Sequence, residues 1–439
     1  MRKTAAPKTY RVESFGCQMN VYDGERMAEM FDHQGITAAA EGEDADLVVL
    51  NTCHIREKAS EKVYSRIGRL TKGRENPPLI AVAGCVAQAE GEEIMARSRA
   101  VSMVVGPQAY HRLPAMLERA IDGQRTTDTD MPADAKFAAL PRRRKSAPTA
   151  FLTIQEGCDK FCTYCVVPYT RGAEISRPFK SLVDESKILV EAGAKEITLL
   201  GQNVSAWTGE DAKGRALGMA GLIRALAEIP DLARIRYMTS HPADMDDALI
   251  DAHGEVTKLM PFLHLPVQAG NDRVLKAMNR SHTAESYLKL LERFRAARPD
   301  LALSGDFIVG FPGETDAEFE DTLQIVDAVG YAQAYSFKYS PRPGTPAAAM
   351  ENQVAPEVMD ERLQRLQTRL ARDQLAFNTA SVGRICDVLV DRTGKLPGQM
   401  LGKSPWLQSV HFTADAAIGD LVQVKLAEAM GSSMGGQLA

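Results

Sequence analysis

The sequence predicts an α/β protein in three parts: an N-terminal domain with a parallel sheet, a central partial barrel of six βα units, and a small C-terminal β-barrel. The 439 residues exceed what one hydrophobic core usually serves. Short apolar runs alternate with longer amphipathic segments over most of the chain, which is typical of βα units. After Gly383 only short alternating runs remain, separated by Gly and Pro, as in small β-barrels.

The N-terminal domain is predicted to span residues 1–122. Its patterns predict three strands and one capped helix: strands Tyr10 to Phe15, Leu47 to Leu50 and Leu79 to Ala83, and a helix from Val21 to His33 with Asn20 as its cap. Each strand runs into a cysteine, namely Cys17, Cys53 and Cys85. The carboxyl ends of parallel strands share the edge where open α/β sheets bind ligands, so the three thiols are expected to meet there.

Residues 123–149 are predicted to be a linker, because the regular pattern gives way to small and polar residues. The segment contains a basic run, Arg142 to Lys145. This run is either a solvated tether or an RNA contact.

The central domain is predicted at residues 150–378. Six strands are expected: Phe151 to Gln155, Glu196 to Leu200, Ile235 to Thr239, Phe262 to Leu265, Ala302 to Val309 and Ala334 to Tyr339. Helical patterns separate most of them, among them Leu182 to Ala192, Ala284 to Ala297 and Ala317 to Val329. Six units are too few for a closed eight-unit ring, so the barrel is expected to be partial. A last helix, Glu357 to Phe377, has arginines that are either solvated or close to a phosphate backbone.

The C-terminal domain is predicted at residues 379–439. Its expected strands are Ile385 to Val390, Ser409 to Phe412 and Leu421 to Leu426. The formal net charge of the whole chain is -5, so charge alone predicts no nucleic-acid partner.

The sequence also indicates the cellular compartment and the state of the cysteines. No stretch of about twenty apolar residues could span a bilayer, and the N-terminus lacks the apolar core of a signal peptide. We therefore expect a cytoplasmic protein without membrane contact. In such a protein the 7 cysteines are expected to be reduced thiols, catalytic residues or metal ligands rather than disulfides.

Three cysteines follow the first predicted barrel strand within one short loop. Cys158, Cys162 and Cys165 are separated by three and then two residues, which suits one corner of a cubane iron-sulfur cluster with one iron left open. Zinc is the alternative, but structural zinc prefers four protein ligands, and the nearest histidines, His111 and His241, are remote in sequence. The loop lies where barrel active sites form, so a cluster site is the stronger interpretation.

The other three thiols have two interpretations. A lone buried cysteine is most often a small apolar core residue. Because Cys17, Cys53 and Cys85 all stand at strand ends, a second metal site with three protein ligands is the sharper hypothesis.

Motifs along nearly the whole chain resemble those of the radical S-adenosylmethionine (radical-SAM) methylthiotransferases. They are FGCQMN from Phe15, NTCHIREKASEKV from Asn51, GCVAQ from Gly84, EGCDKFCTYCVVPYTRG from Glu156, SRP from Ser176, LLGQNV from Leu199, TSHP from Thr239, HLPVQAG from His264, SGDFIVGFPGET from Ser304 and RPGTPA from Arg342. The resemblance implies an N-terminal methylthiotransferase domain, a radical-SAM partial barrel and a C-terminal TRAM domain for RNA.

The resemblance also implies the cofactors. Cys158, Cys162 and Cys165 match the cysteines that bind the SAM-cleaving [4Fe-4S] cluster. Cys17, Cys53 and Cys85 match those that bind an auxiliary [4Fe-4S] cluster. Cys386 matches no ligand motif and is expected to be structural.

The implied reaction is methylthiolation of C2 of N6-isopentenyl (dimethylallyl) adenosine at position 37 of tRNA. One SAM would serve as radical source and a second as methyl donor, with sulfur delivered through the auxiliary cluster. The implied partners are the tRNA anticodon loop, a small electron-donor protein and a sulfur donor. Threonylcarbamoyl adenosine or a ribosomal-protein aspartate remain alternative targets, and a zinc-containing RNA-binding scaffold remains an alternative of another class.

Further candidates are polar residues at or just past predicted strand ends. Those expected to contact SAM or substrate are Gly201, Gln202, Asn203, Ser240, Gln268 and Asp306. Arg171 and Arg177 are candidates for the SAM carboxylate or RNA phosphate. In the tail, Lys395 and Lys403 are the expected RNA contacts, and Trp406 is either a stacking surface or a core residue. Removing the tail from Ser381 is expected to weaken RNA binding without affecting SAM cleavage.

Overall fold

The computed structural model describes residues 5–54, 58–131, 135–143 and 146–439. Part of the NTCHIREKASEKV motif and the end of the basic run, Arg144 and Lys145, lie outside these residues. The chain forms two compact units. The first runs to Arg143 and also includes Glu156–Asp159 and Val166–Ile175, and the remaining residues form the second.

The N-terminal part of the first unit is a parallel α/β sheet. Its elements are β1 (Thr9–Ser14), α1 (Gln18–His33), β2 (Thr37–Ala38), β3 (Leu47–Thr52), α2 (Lys58–Thr71), β4 (Leu79–Gly84), α3 (Cys85–Glu90), α4 (Glu92–Arg97), β5 (Val101–Val105), α5 (Leu113–Ile121), β6 (Thr126–Asp128) and α6 (Ala135–Ala139). The strand order is β2-β1-β3-β4-β5-β6, and every pairing is parallel. Alternate residues of β3 and β4 enter two apolar clusters, one on each face of the sheet.

Two details differ from the sequence prediction. The segment expected to be a linker contributes β6, which pairs with β5 from Met103 to Val105. Helix α1 begins at Gln18 with Cys17 as its N-cap, rather than after Asn20. The Asn20 side chain is instead buried and donates a 2.8 Å hydrogen bond to the Phe15 carbonyl.

The chain from Thr149 to Ser381 carries the second series of elements. They are β7 (Thr149–Thr153), β8 (Gln155–Glu156), α7 (Val167–Thr170), β9 (Ile175–Ser176), α8 (Phe179–Glu191), β10 (Glu196–Leu200), β11 (Thr208–Glu210), β12 (Ala216–Gly218), α9 (Met219–Ala227), β13 (Arg234–Tyr237), α10 (Asp247–Glu255), β14 (Phe262–His264), α11 (Asp272–Ala277), α12 (Ala284–Ala297), β15 (Ala302–Val309), α13 (Asp316–Val329), β16 (Gln333–Lys338) and α14 (Pro356–Ser381).

Six of these strands form the partial barrel. Parallel sheets β13-β10-β7 and β14-β15-β16 are joined by a parallel bridge between Ile235 and Leu259. The main core lies between the outer face of these strands and the helices, and includes Leu199, Tyr237 and Phe307. The residues that alternate with these core residues along each strand face the interior of the barrel. There the strand register pairs Asp306 of β15 with Tyr335 of β16. The predicted α/β fold with a six-stranded partial barrel is thus confirmed.

The arginines of α14 form ion pairs with acidic residues of the same chain. Arg362 pairs with Glu314, Arg365 with Glu320, and Arg369 and Arg372 with Asp327. These ion pairs therefore hold α14 against α13 and the loop that precedes it. None of the helices in the described ranges is both long and apolar enough to cross a membrane.

The C-terminal part is a closed five-stranded barrel, as predicted. Its strands are β17 (Ile385–Thr393), β18 (Gln399–Lys403), β19 (Ser409–Thr413), β20 (Leu421–Ala429) and β21 (Ser433–Leu438), in the order β17-β18-β19-β21-β20. Its core includes Val388, Phe412 and Cys386.

The loop between β18 and β19 covers the amino-terminal end of the larger barrel. Arg234 and Arg236, at the start of β13, donate hydrogen bonds to the carbonyls of Lys403, Ser404 and Pro405. Trp406 and Leu407 pack against the apolar cluster of Phe262, Ala302 and Ala332. We call residues 404–407 the floor loop.

Candidate metal centres and substrate pocket

Cys17, Cys53 and Cys85, here called the auxiliary triad, follow three neighbouring strands of the N-terminal sheet. Cys53 comes directly after β3, Cys85 begins α3 directly after β4, and Cys17 follows β1 by three residues. A Cβ on Gly16 would lie 2.3 Å from the Cys53 Cβ, and Gly16 has φ +105°, so only glycine fits this turn. The three cysteines thus lie at the carboxyl ends of neighbouring strands, and Cys17 interacts with both Cys53 and Cys85. That they form one metal site stays a prediction.

The charges around the triad differ from thiol to thiol. A hydrogen bond with Cys53 and the nearby Arg171 outweigh burial and lower the pKa of Cys17 to about 6. Burial raises the pKa of Cys85, and Arg171, which hydrogen-bonds its thiol, opposes that rise. The site therefore favours at least one thiolate near neutral pH, the form that binds metals.

Arg171 belongs to a buried ion network in the first unit. Its guanidinium donates to Asp23 Oδ2 at 2.7 Å and to Glu156 Oε1 at 3.2 Å. Lys136 binds the same Glu156 at 2.6 Å. These four side chains are no more than 3% exposed, so their two positive and two negative charges offset one another without solvent.

Neither arginine that the sequence offered for a carboxylate or phosphate is exposed. Arg177 is 6% exposed and binds the Thr153 carbonyl at 2.7 Å and Glu185 at 2.6 Å. Arg171 and Arg177 therefore have internal partners.

The loop cysteines, Cys158, Cys162 and Cys165, lie in a segment with no long element. Cys158 belongs to the first unit and the other two to the second. The Cys165 N–H donates to the Cys162 carbonyl at 2.9 Å. The Thr163 N–H and hydroxyl donate to the Met278 and Ala277 carbonyls at 3.1 and 2.9 Å.

Two residues after α11 hold this loop from the barrel side. The Asn279 amide donates to the carbonyls of Lys160 and Phe161, each at 3.0 Å. Arg280 Nη1 lies 3.7 Å from Cys162 Sγ, and its Nη2 donates to the Pro266 carbonyl at 2.7 Å. The Arg280 guanidinium thus contacts a thiol that is a predicted cluster ligand.

The predicted residues Gly201, Gln202 and Asn203 form one turn after β10. Gln155 Oε1 accepts the N–H groups of Gln202 and Asn203 at 3.0 and 3.1 Å. A Cβ on Gly201 would lie 2.6 Å from that oxygen, so glycine leaves room for the amide. Asn203 is buried and donates to Asp244 at 2.7 Å, so it positions the turn.

Ser240 and His241 follow β13 at the same end. The Ser240 hydroxyl is buried and has no hydrogen-bond partner among the described residues. His241 Nε2 is likewise buried without one in this part of the chain, and burial together with Arg280 lowers its pKa to about 2. Neutral side chains with open hydrogen-bonding capacity are suited to ligand contact.

Gln268 and Asp306 lie on the other half of the barrel. Gln268 has φ +76° and pairs its backbone with β15 next to Asp306. Asp306 is partly exposed on the interior face, 3.6 Å from His264 Nε2. Gly310 and Gly313, in the turn after β15, have positive φ, which glycine adopts without strain.

The two predicted RNA lysines differ. Lys395 is exposed between β17 and β18. Lys403 donates to the Ser409 hydroxyl at 2.7 Å, and burial lowers its pKa. Trp406, in the floor loop, donates a hydrogen bond to Asp300 at 3.2 Å and packs against the cluster of Phe262, Ala302 and Ala332. Cys386 is a buried core residue of the C-terminal barrel.

Both triads offer thiols alone, and thiolates are the usual protein ligands of iron-sulfur clusters. Within the described ranges, no three His, Cys, Asp or Glu side chains are arranged to hold one metal ion. That each triad holds a cluster stays a prediction.

Sequence reasoning missed the residues that support the cysteines. Arg280, Asn279 and Gln155 carry no signal of their own, because each acts on a segment remote in sequence. Asp23 and Lys136 were missed for the same reason. Only their hydrogen bonds and ion pairs in the folded chain identify them.

Family comparisons agree with this geometry. The model of uncharacterized protein family UPF0004 matches residues 9–106, and that of the radical SAM superfamily matches residues 152–326. The cysteine loop after the first barrel strand together with this match defines a radical-SAM enzyme. Membership implies a [4Fe-4S] cluster and SAM as cofactors.

Relatives extend the match over the whole chain. The tRNA-2-methylthio-N(6)-dimethylallyladenosine synthase of Erythrobacter litoralis (strain HTCC2594) is 82% identical over 440 residues, covering 100% of this chain and 99% of the relative. The enzyme of that name from Novosphingobium aromaticivorans is 76% identical over 436 residues, covering 99% and 98%. The chain belongs to the tRNA-2-methylthio-N(6)-dimethylallyladenosine synthase family of radical-SAM methylthiotransferases, which confirms the resemblance drawn from the motifs.

Solved structures agree at the level of the fold. The cobalamin- and cluster-bound radical SAM methyltransferase TsrM from Kitasatospora setae has a TM-score of 0.56 at 12% identity, covering 78% of this chain and 74% of that one. The cobalamin-dependent SAM radical enzyme OxsB with aqua-cobalamin and SAM bound has a TM-score of 0.53 at 12% identity, covering 84% and 56%.

Proposed function

We propose that this enzyme attaches a methylthio group to C2 of N6-isopentenyl (dimethylallyl) adenosine at position 37, in the anticodon loop of tRNA. The observation that carries the proposal is a triad of thiols at one sheet edge in a chain that also has the radical-SAM loop. The names of relatives at 82% and 76% identity favour this substrate over threonylcarbamoyl adenosine or a ribosomal-protein aspartate.

Each triad has one role in this proposal. Cys158, Cys162 and Cys165 would hold the cluster that binds SAM, and Cys17, Cys53 and Cys85 would hold an auxiliary [4Fe-4S] cluster. When bound, the first cluster would supply the electron that cleaves one SAM to a radical, and the auxiliary cluster would deliver the sulfur that a second SAM methylates.

The protein supplies ligands, orientation and charge. The lowered pKa of Cys17 favours its thiolate, and the cation of Arg171 opposes the rise in the pKa of Cys85. Gly201, Gln202, Asn203, Ser240, Gln268 and Asp306 would contact SAM or substrate. Of these, Ser240 has a buried hydroxyl without a partner in the described chain and Asp306 is partly exposed, which suits direct contact.

RNA contacts outside the pocket would come from the C-terminal barrel. Lys395 is exposed and better suited to a phosphate than Lys403, whose ammonium already binds Ser409. A small electron-donor protein and a sulfur donor complete the proposed set of partners.

Iron analysis separates the two triads. Anaerobically reconstituted protein should bind about eight irons per chain. The triple alanine variant of either triad should keep about half, whereas Cys386→Ala, which removes a core thiol outside both triads, should keep all. Full iron in either triple variant would contradict the assignment.

Product analysis tests the reaction itself. Reconstituted enzyme, SAM, reductant and sulfide would be incubated with tRNA that carries N6-isopentenyladenosine, and the nucleosides analysed by mass spectrometry. The auxiliary-triad variant should still form 5'-deoxyadenosine but no methylthio product. Methylthiolation of a threonylcarbamoyl substrate instead would reject the proposed target.

A further inference from the structure

Strand β16 is the last strand of the partial barrel and has two different faces. Lys338 faces α14, where its Nζ binds Asp360 Oδ1 at 2.7 Å. Because side chains alternate along a strand, Gln333, Tyr335 and Phe337 share the opposite, interior face.

The strand register sets this face beside Asp306, a predicted site residue on the interior of the barrel. Tyr335 pairs with Asp306 and Phe337 with Ile308. The ring of Tyr335 lies 6.1 Å from that of His264, which in turn lies 3.6 Å from Asp306. The two aromatic side chains therefore continue the surface that carries a predicted site residue.

The same face reaches the cysteine loop through an apolar cluster. Ile308, the register neighbour of Phe337, belongs to the cluster that also contains Tyr164. Tyr164 stands between Cys162 and Cys165. Phe337 is thus linked through Ile308 to the cluster that contains Tyr164 of the cysteine loop.

The exposure of the pair is unusual for the interior of the barrel. Tyr335 is 41% exposed and Phe337 is 37% exposed, whereas Thr198, Arg236 and His264 on the same lining are buried. The Gln333 amide donates to the Tyr335 hydroxyl at 2.7 Å and limits rotation of the ring. Two exposed rings two residues apart on one strand face offer an apolar surface for a planar ligand.

We propose that Tyr335 and Phe337 form the stacking surface for the substrate adenine. This inference rests on the proposed function, which requires a base unstacked from an RNA loop and held inside the barrel. Bases in such loops are bound by stacking on aromatic rings, and Asp306 and His264 would lie at the edge of the stacked base.

The test measures RNA affinity and does not depend on turnover. Two synthetic anticodon stem-loops are used, one with N6-isopentenyladenosine and one with plain adenosine at the target position. Tyr335→Ala and Phe337→Ala should each weaken binding of both RNAs roughly 10-fold, while Tyr335→Phe and Phe337→Tyr should bind like the wild type. Leu375→Ala, an exposed apolar residue on α14, is the matched control and should change neither affinity.

Other outcomes overturn the inference. Unchanged affinity in both alanine variants would exclude stacking, and a loss confined to the isopentenyl RNA would assign the rings to the alkenyl group. Tyr335→Leu, which keeps apolar volume in the strand, replaces Tyr335→Ala if that variant does not fold. Formation of 5'-deoxyadenosine without RNA should stay unchanged in Leu375→Ala. If the wild type makes no methylthio product the proposed function fails, but the affinity comparison still decides whether the rings bind a base.

Discussion

The guanidinium of Arg236 donates a 2.9 Å hydrogen bond to the backbone carbonyl of Ser404, which is 168 residues further along the chain. The same group binds the Pro405 carbonyl at 2.8 Å and Glu196 at 2.9 Å, and it is 2% exposed. The floor loop is therefore held by a buried charge at the amino-terminal end of the larger barrel.

Arg236→Ala should lower the free energy of unfolding by about 3 kcal/mol. The substitution leaves Glu196 buried with Arg234, 3.8 Å away, as its remaining cation, and it removes a charged donor from two carbonyls. Urea unfolding followed by circular dichroism would measure the change. Arg215→Ala, in an exposed pair with Asp211, is the control and should unfold like the wild type. Equal losses of unfolding free energy in both variants would show that the contacts of Arg236 contribute no more than an exposed ion pair.

Ending the chain at Ser381 should lower the thermal midpoint by about 5 °C or more, as well as weakening RNA binding. Removal of the floor loop uncovers Phe262 and Ala302 and leaves Arg234 and Arg236 without their carbonyl partners. These contacts argue against the expectation that SAM cleavage survives the truncation unchanged. Lys395→Ala in the full chain is the control, and it should affect RNA affinity alone. A truncated protein with wild-type stability and SAM cleavage would instead support the expectation from the sequence, that the tail affects RNA binding alone.

Arg171→Met should reduce bound iron from about eight to about four per chain while SAM cleavage continues. The substitution removes the cation beside Cys17 and Cys85 and leaves Asp23 and Glu156 with Lys136 alone. Iron analysis and electron paramagnetic resonance would follow each cluster. Arg66→Met, which breaks a half-buried pair with Glu13 in the same unit, should keep full iron. Loss of SAM cleavage as well would mean that Arg171 acts on the Cys158 segment instead.

Protein stability should fall as pH decreases from about 6.5 to about 3 because of His253. Burial, with Arg298 next, lowers its pKa from 6.5 to about 3, so the unfolded chain takes up the proton first. The contribution is complete above pH 6.5, and about 1.4 kcal/mol is lost for each pH unit below it. Unfolding midpoints between pH 7 and pH 5 would measure the slope.

His253→Gln should make that pH profile less steep, with the contribution of His241 remaining, while it retains an acceptor for the Tyr237 hydroxyl, which lies 2.7 Å from His253 Nε2. His33→Gln, at the exposed end of α1, should keep the wild-type profile. An unchanged slope in His253→Gln would assign the acid sensitivity to other groups.

Elements with a strong local pattern were predicted residue for residue. Strands Glu196–Leu200 and Ala302–Val309 are rich in apolar residues and are mostly buried, and helix Ala284–Ala297 begins at a capping box of Thr283 and Ser286. Strands Gln399–Lys403 and Ser433–Leu438 were missed because they contain glycine and few apolar residues. Their order depends on neighbours in a closed barrel, which a local pattern does not contain.

The candidate site also combines features that the sequence predicts with features that depend on the folded chain. The meeting of Cys17, Cys53 and Cys85 follows from strand polarity, so it could be predicted. The burial of Arg171 and of Lys403 could not, because their partners come from elsewhere in the folded chain.

The floor loop also has a consequence for protein engineering. In many multidomain enzymes a binding module can be exchanged at the linker, but here the boundary after Ser381 cuts through contacts that complete the catalytic barrel. A chimera that takes its C-terminal barrel from a distant relative must also match the floor loop to Arg234 and Arg236. The smallest transferable piece is therefore the tail together with the first residues of β10 and β13.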